Sequence, residues 1–320
     1  VGPSAPAPGG APGPHLLVEA LWPRVYAQFY ARPGSLSGQA APLATDLLTG
    51  PADPAFVARL SAANRSQTRW DSLWTVYQPG PQGALHVQKG DVHRLAGPEE
   101  YVFPVAPGRP PRVGDTVSLR VPRESIHAQP GFYYAFGETV PSGFDDVQLA
   151  RLYFHAPPDS VPWLLEQVTG DLNRYQVPFR MKCLDSPANY DRADAVVLYV
   201  TRRYLPITLR LLSAHTEELT RRLKPGVPLF TREWGPGVGL ADEPGTGESF
   251  GQSRARLVCQ GIVEAWQRGL TSNEERLRAV MEQFDRLGLS LEKPYLSEGL
   301  VEVHPWPGSR SDDRDTREAA

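Results

Sequence analysis

Lysine is scarce in this chain: of its 33 basic residues, only Lys89, Lys182, Lys224 and Lys293 are lysine, and the rest are arginine. Cysteine is scarcer, with Cys183 and Cys259 alone. Two cysteines exclude a disulfide framework and a cysteine-rich zinc site, and they fit a reducing cytoplasm. No apolar run approaches the roughly 18 residues a membrane-spanning helix needs, so no membrane partner is expected. Positive charge is not in excess either. A formal net charge of -3 argues against a nucleic-acid partner. Residues 1–14 are small and proline-rich, and they lack the basic patch and apolar core of a signal peptide.

What is present suffices for a sizeable core. The 320 residues, 41% hydrophobic, allow one large domain or two smaller ones. Residues 1–14 and 306–320 are too polar or too proline-rich to pack, and disorder is expected there. Apolar spacing predicts helices over 15–31, 55–63, 161–175, 206–224, 252–268 and 273–287. Alternation predicts strands over 70–77, 84–89, 116–121, 132–136, 147–155, 179–184, 195–200 and 229–232. The stretch 235–250 reads as a glycine-rich loop. Together these give an α+β fold, a mixed or antiparallel sheet flanked by helices. A smaller amino-terminal α+β part (15–146), suited to peptide binding, precedes a catalytic part (147–305).

The scarcity of lysine makes Lys182 informative. It lies in Pro178-Phe179-Arg180-Met181-Lys182-Cys183-Leu184, which reads as a buried strand. Arginine keeps its proton near neutral pH, whereas lysine loses it when desolvated or crowded by other cations. Two readings stand: a general base, or a strand-edge lysine whose stem covers the core while its head reaches water.

Side chains two apart share a strand face. Arg151, Tyr153 and His155 therefore share one face of their strand, and Arg180 and Lys182 share one face of theirs. With Tyr199 on a third strand, and Arg192, Arg232, Arg254 and Arg256 on flanking loops and helix starts, the sheet acquires a cationic side. Such a side suits phosphate, which arginine grips with two nitrogens at once. The loop 245–251 opens a helix, and helix amino-termini attract anions. It lacks the Lys-Ser/Thr of a P-loop. Lys182 as base and His155 as acid fit proton abstraction beside a carbonyl with expulsion of phosphate. Singly, a strand-end histidine is also an ordinary hydrogen bonder, and an arginine an ordinary surface charge. His86, His93 and His127 lack metal-ligand spacing and read as structural. No metal or other cofactor is expected.

Several blocks in order carry a resemblance. They are Pro130-Gly131-Phe132-Tyr133-Tyr134-Ala135-Phe136-Gly137, Arg151-Leu152-Tyr153-Phe154-His155, Val177-Pro178-Phe179-Arg180-Met181-Lys182, the run from Tyr190 to Tyr199, Pro236-Gly237-Val238-Gly239-Leu240-Ala241 and Gly247-Glu248-Ser249-Phe250-Gly251-Gln252-Ser253-Arg254. In these the chain resembles the HopA-type effector family, a group that also includes lyase components of class V lanthipeptide and related pathways. More distantly it is similar to bacterial phosphothreonine lyases and to the lyase domains of class III lanthipeptide synthetases.

The resemblance implies a cytoplasmic, metal-independent lyase. It would eliminate phosphate from phosphoserine or phosphothreonine in a ribosomally made precursor peptide, leaving dehydroalanine or dehydrobutyrine, with separate kinase and cyclase proteins as partners. Carried over, Lys182 is the base and His155 the acid, while Arg192, Tyr199, Arg232 and Arg254 bind phosphate. The lyases have a second lysine two residues before the histidine. Here that position is Tyr153, which leaves Arg180, Arg151 or Tyr153 to stabilise the enolate. The alternative is a non-catalytic phosphopeptide- or leader-binding partner or effector.

Overall fold

The computed structural model describes residues 13–32, 50–104, 108–142 and 148–302. Residues 1–12 and 303–320, where most of the expected disorder falls, lie outside the described residues.

The chain opens with helix α1 (Pro14–Val25), which runs into a π-helical turn over Tyr26–Tyr30. Helix α2 (Pro54–Ala63) follows, its start fixed by the Asp53 carboxylate, which accepts from the backbone N–H groups of Ala55 and Phe56. Five strands come next: β1 (Arg69–Pro79), β2 (Leu85–Lys89), β3 (Val92–Ala96), β4 (Tyr101–Val102) and β5 (Thr116–Val121). They pair antiparallel in the order β3-β2-β1-β5-β4. Trp74, Val76, Val87, Val117 and Leu119 alternate onto one face and make a core of their own.

The larger sheet has seven strands: β6 (Glu124–Ser125), β7 (Phe132–Phe136), β8 (Leu149–Phe154), β9 (Phe179–Leu184), β10 (Val196–Thr201), β11 (Arg232–Gly235) and β12 (Val238–Asp242). Their order is β11-β12-β8-β10-β9-β7-β6, and every neighbour is antiparallel. One face, with Leu152, Phe154, Met181 and Leu198, packs against Leu164, Leu165 and Val168 of α3 (Val161–Arg174) and Leu209 of α4 (Leu205–Ser213). The opposite face carries Tyr153, Val197 and Tyr199. It meets Tyr30 from the π-helical turn and Phe250 from α6 (Phe250–Gln267). Helices α5 (Thr216–Arg222) and α7 (Asn273–Asp285) complete the fold.

Three expectations are corrected. The helix expected over 206–224 breaks at Ala214 and His215 into α4 and α5. Side chains take over the carbonyls there: Ser213 Oγ donates to Arg210 O, Thr216 Oγ1 donates to Ser213 O, and the His215 ring pairs with Asp171 on α3. The glycine-rich loop contains β12, which lies beside β8. Pro236 and Gly237 close the β11–β12 hairpin, with Gly237 at φ +74°, the left-handed backbone that this kind of turn demands. The strand expected over 229–232 begins only at Arg232. The boundary expected at residue 146 falls after β6 and β7, which belong to the seven-stranded sheet.

Candidate active site

Antiparallel register turns the period-two pattern into rows across the sheet. Tyr134, Lys182, Val197, Tyr153 and Gly239 form one row, and Phe136, Arg180, Tyr199, Arg151 and Ala241 the next. Over the Lys182, Tyr153, Arg151 and Tyr199 positions of these rows lies a cavity of about 260 Å³. Lys182, Arg151, Arg192, Tyr153 and Tyr199 line it. Trp22, Tyr26 and Tyr30 close it from the start of the chain, and Ser249 and Gln252 from the first turn of α6. The amino-terminal end of that helix, which favours anions, therefore borders the cavity.

Lys182 Nζ sits 4.5 Å from the Phe132 ring centre and 5.9 Å from that of Tyr199. It donates to Gln129 Oε1 at 3.4 Å, and the same oxygen accepts from Tyr134 OH at 2.8 Å. Among the described residues it makes no ion pair. Burial holds its pKa below the ordinary lysine value, and the charges of Arg151 and Arg192 push the same way, against Tyr134 and Asp194.

The flanking arginines are already partnered. Arg192 grips Asp194 with Nε and Nη2 at 2.6 and 2.7 Å. Tyr26 OH donates to the same carboxylate at 2.6 Å and accepts from Arg192 at 3.1 Å. Burial alone would raise the Asp194 carboxyl; Arg192 and these hydrogen bonds outweigh it and hold the pKa below the usual carboxylate range. Arg151 grips Glu243 with two nitrogens and lies 5.1 Å from the Tyr199 ring centre. Among the described residues, Lys182 is thus the cavity cation that makes no ion pair, although the Asp194 charge reaches it.

The description of the HopA1 effector protein family matches residues 124–296, more than half of the chain. The chain belongs to this family. An effector protein from Pseudomonas syringae pv. tomato strain DC3000 is similar in structure, with a TM-score of 0.49 at 12% identity, over 89% of this chain and 96% of that one. A second effector, from Pseudomonas syringae pv. syringae strain 61, has a TM-score of 0.45 at 12% identity, over 89% and 97%. No curated protein matches. The HopA1 match starts at the first residue of β6, so it takes in the whole seven-stranded sheet and leaves out the five-stranded one.

Not every expected site residue of this HopA1-family chain reaches the cavity. His155 follows β8, two strands away from Lys182, and does not line it. Its Nδ1 lies 2.9 Å from Pro225 O and 3.2 Å from Gly226 O. Carbonyls only accept, so Nδ1 carries a proton and Nε2 is the nitrogen left for other partners. Burial lowers the pKa of His155, and the two carbonyl contacts partly restore it.

Arg254, 1% exposed, donates to Pro294 O at 2.7 Å and Leu296 O at 3.0 Å, and burial pulls its pKa down to about 10. Arg232 pairs with Glu302 and lies over Tyr295. Neither lines the cavity, and each contacts the 294–302 segment. Arg180 is exposed, with its guanidinium 4.7 Å from the Tyr199 ring centre, at the far edge of the cavity.

Sequence reasoning missed Tyr26, Gln129 and Asp194. Tyr26 contacts a residue 168 positions away and carries no local signal. Asp194 could have been found, because it stands two residues from Arg192.

Proposed function

We propose that this HopA1-family protein is a lyase that eliminates phosphate from phosphoserine or phosphothreonine in a peptide. The observation that carries this reading is Lys182, an amine of lowered pKa facing a cavity, paired with no carboxylate and flanked by guanidinium groups. Neutral Lys182 Nζ takes the Cα proton. The electrons of that bond become the Cα=Cβ double bond, and the Cβ–O bond breaks with its pair leaving on phosphate. Arg192, Arg151 and the start of α6 stabilise the departing anion, which competes with Asp194 and Glu243 for the guanidinium nitrogens. Tyr153 and Arg180 flank the position where the enolate oxygen develops. His155 does not line the cavity, so its Nε2 serves as proton donor only to a phosphate that lies on the β8 side of Lys182. The substrate is a ribosomally made precursor phosphorylated by a separate kinase, and the dehydro residues pass to a cyclase.

The test is to incubate the protein with a phosphothreonine peptide. Expected are inorganic phosphate and a peptide lighter than its unphosphorylated form by one water. Lys182→Arg keeps the charge but removes the ionisable base, and it should lower the rate by roughly 10²–10⁴-fold while phosphopeptide binding survives. A product with the mass of the free alcohol would identify a phosphatase and sink the reading. A second reading, phosphopeptide binding without turnover, is favoured by the position of His155, which does not line the cavity. Binding with no mass change would decide for it.

A further inference from the structure

We propose that a second cavity on the same face of the sheet receives an apolar side chain of the substrate peptide, two positions from the residue that reacts. The inference rests on the lyase reading for what fills the first cavity.

The second cavity measures about 320 Å³. It touches the first at Arg180 and Tyr199: Tyr199 lines both, and Arg180 lies over its ring. On every strand that lines both, the lining shifts the same way along the sheet. On β9 it moves from Lys182 to Arg180, on β8 from Tyr153 and Arg151 to Leu149, on β7 from Phe132 to Phe136, and on β10 from Val197 to Thr201. Because neighbouring strands run antiparallel, these opposite moves in number are one move in space. The two cavities therefore lie end to end. Lys182 and Arg180, two residues apart on one strand face, set the step at roughly 7 Å. An extended peptide repeats its side chains on one side at the same step. A phosphoresidue over Lys182 thus puts the side chain two positions along over the second cavity.

The lining says what that side chain is. Val121, Phe136, Val140 and Leu149 make the apolar walls, and Phe179 and Val200, whose side chains belong to the core on the opposite face, border the cavity at the strand ends. The charged groups are Arg94, contributed by the five-stranded sheet, and Arg180. An apolar side chain gains from leaving water here, while a lysine or arginine meets two cations.

The experiment measures binding to Lys182→Arg protein, so that no turnover intervenes. The probes are phosphothreonine peptides with leucine, glycine or lysine two positions before or two positions after the phosphoresidue. In one of the two directions the leucine peptide should bind at least tenfold tighter than the glycine peptide, and the lysine peptide no tighter than glycine. Filling the cavity with Val140→Trp should bring the leucine-to-glycine ratio close to one. Val121→Trp fills it from the opposite sheet and should do the same. Thermal melts show which of the two variants are folded. A ratio near one in both directions overturns the proposal, as does a leucine preference that survives both fillings. Wild-type protein that shows the preference yet eliminates no phosphate overturns the lyase reading alone. Elimination without the preference overturns the subsite alone.

Discussion

The surroundings push Lys182 toward the protonation state the reaction asks of it and push His155 away from its own. Burial keeps Lys182 below its usual pKa, which favours the neutral base, and keeps His155 below its own, which disfavours the charged acid. The sign follows directly. The base works as pH rises through the Lys182 pKa, and the acid stops working as pH rises through the His155 pKa. The histidine value lies below its ordinary 6.5 and the lysine value below its ordinary 10.5. Where the lysine value is the higher, the active form is a constant minority between the two and declines below the histidine value and above the lysine value. In His155→Asn the acid requirement is gone. The wild type should therefore lose kcat/KM at high pH, whereas the variant, slower overall, should level off there. The alkaline side is the diagnostic one, because the substrate phosphate itself titrates near 6. An alkaline decline that persists in His155→Asn would remove His155 from the reaction. At this scale the sequence was informative where chemistry is local. One lysine on an apolar strand announced itself, and two-residue spacing put Arg180 and Arg151 on the faces they occupy. It was silent on Tyr26 and on the carbonyls that hold Arg254, since those partners come from distant segments.

Elements were legible where their periodicity is long and their ends are marked. Strands β5, β7 and β9 start and stop where alternation does. The β11–β12 hairpin was misread because its glycines look like loop punctuation. In the fold, Gly237 supplies a turn and Gly239 supplies room, since a Cβ there would stand 2.6 Å from Thr231 Oγ1. Gly251 serves a third purpose. It is the second residue of α6, and a Cβ at that position would run into the ring of Tyr30. The absence of one methyl group thus lets the π-helical turn and α6 close over the cavity together. Gly251→Ala should cost about 1–3 kcal/mol by overpacking and should weaken phosphopeptide binding, because Tyr30 lines the site. The clash is tested by coupling. In urea unfolding, Gly251→Ala combined with Tyr30→Leu should lose less than the two single losses added together. Strict additivity would mean that the two residues do not meet.

Across the whole molecule, the chain reads as a seven-stranded sheet carrying an inserted five-stranded one. The HopA1 match begins at Glu124, where β6 begins, and β1 to β5 all precede it. The two ends of the insertion meet. Arg69 and Val121, its first and last strand residues, are cross-strand partners, and Asn64 Nδ2 donates to Arg123 O at 3.0 Å just outside them. The hydrophobic core of the small sheet shares no residue with that of the large one. The aromatic strand β7 hid this plan from the sequence, because it looks like a continuation of the strands before it and drew the expected boundary to residue 146. The insertion also gives Arg94 and Val121 to the second cavity while none of its residues lines the first. On the functions proposed for the two cavities, chemistry and selection should therefore be separable. Replacing residues 69–121 by a short glycine-rich turn joins ends that cross-strand pairing leaves about 5 Å apart. The shortened chain should fold, keep Lys182-dependent elimination on a phosphothreonine peptide with glycine at the flanking position, and lose the preference for leucine over glycine. Kinetics on the two peptides, with the melting curve of each protein, reads all three. Retention of the leucine preference would show that the small sheet does not select substrate, and loss of elimination in a folded protein would show that the catalytic face depends on it.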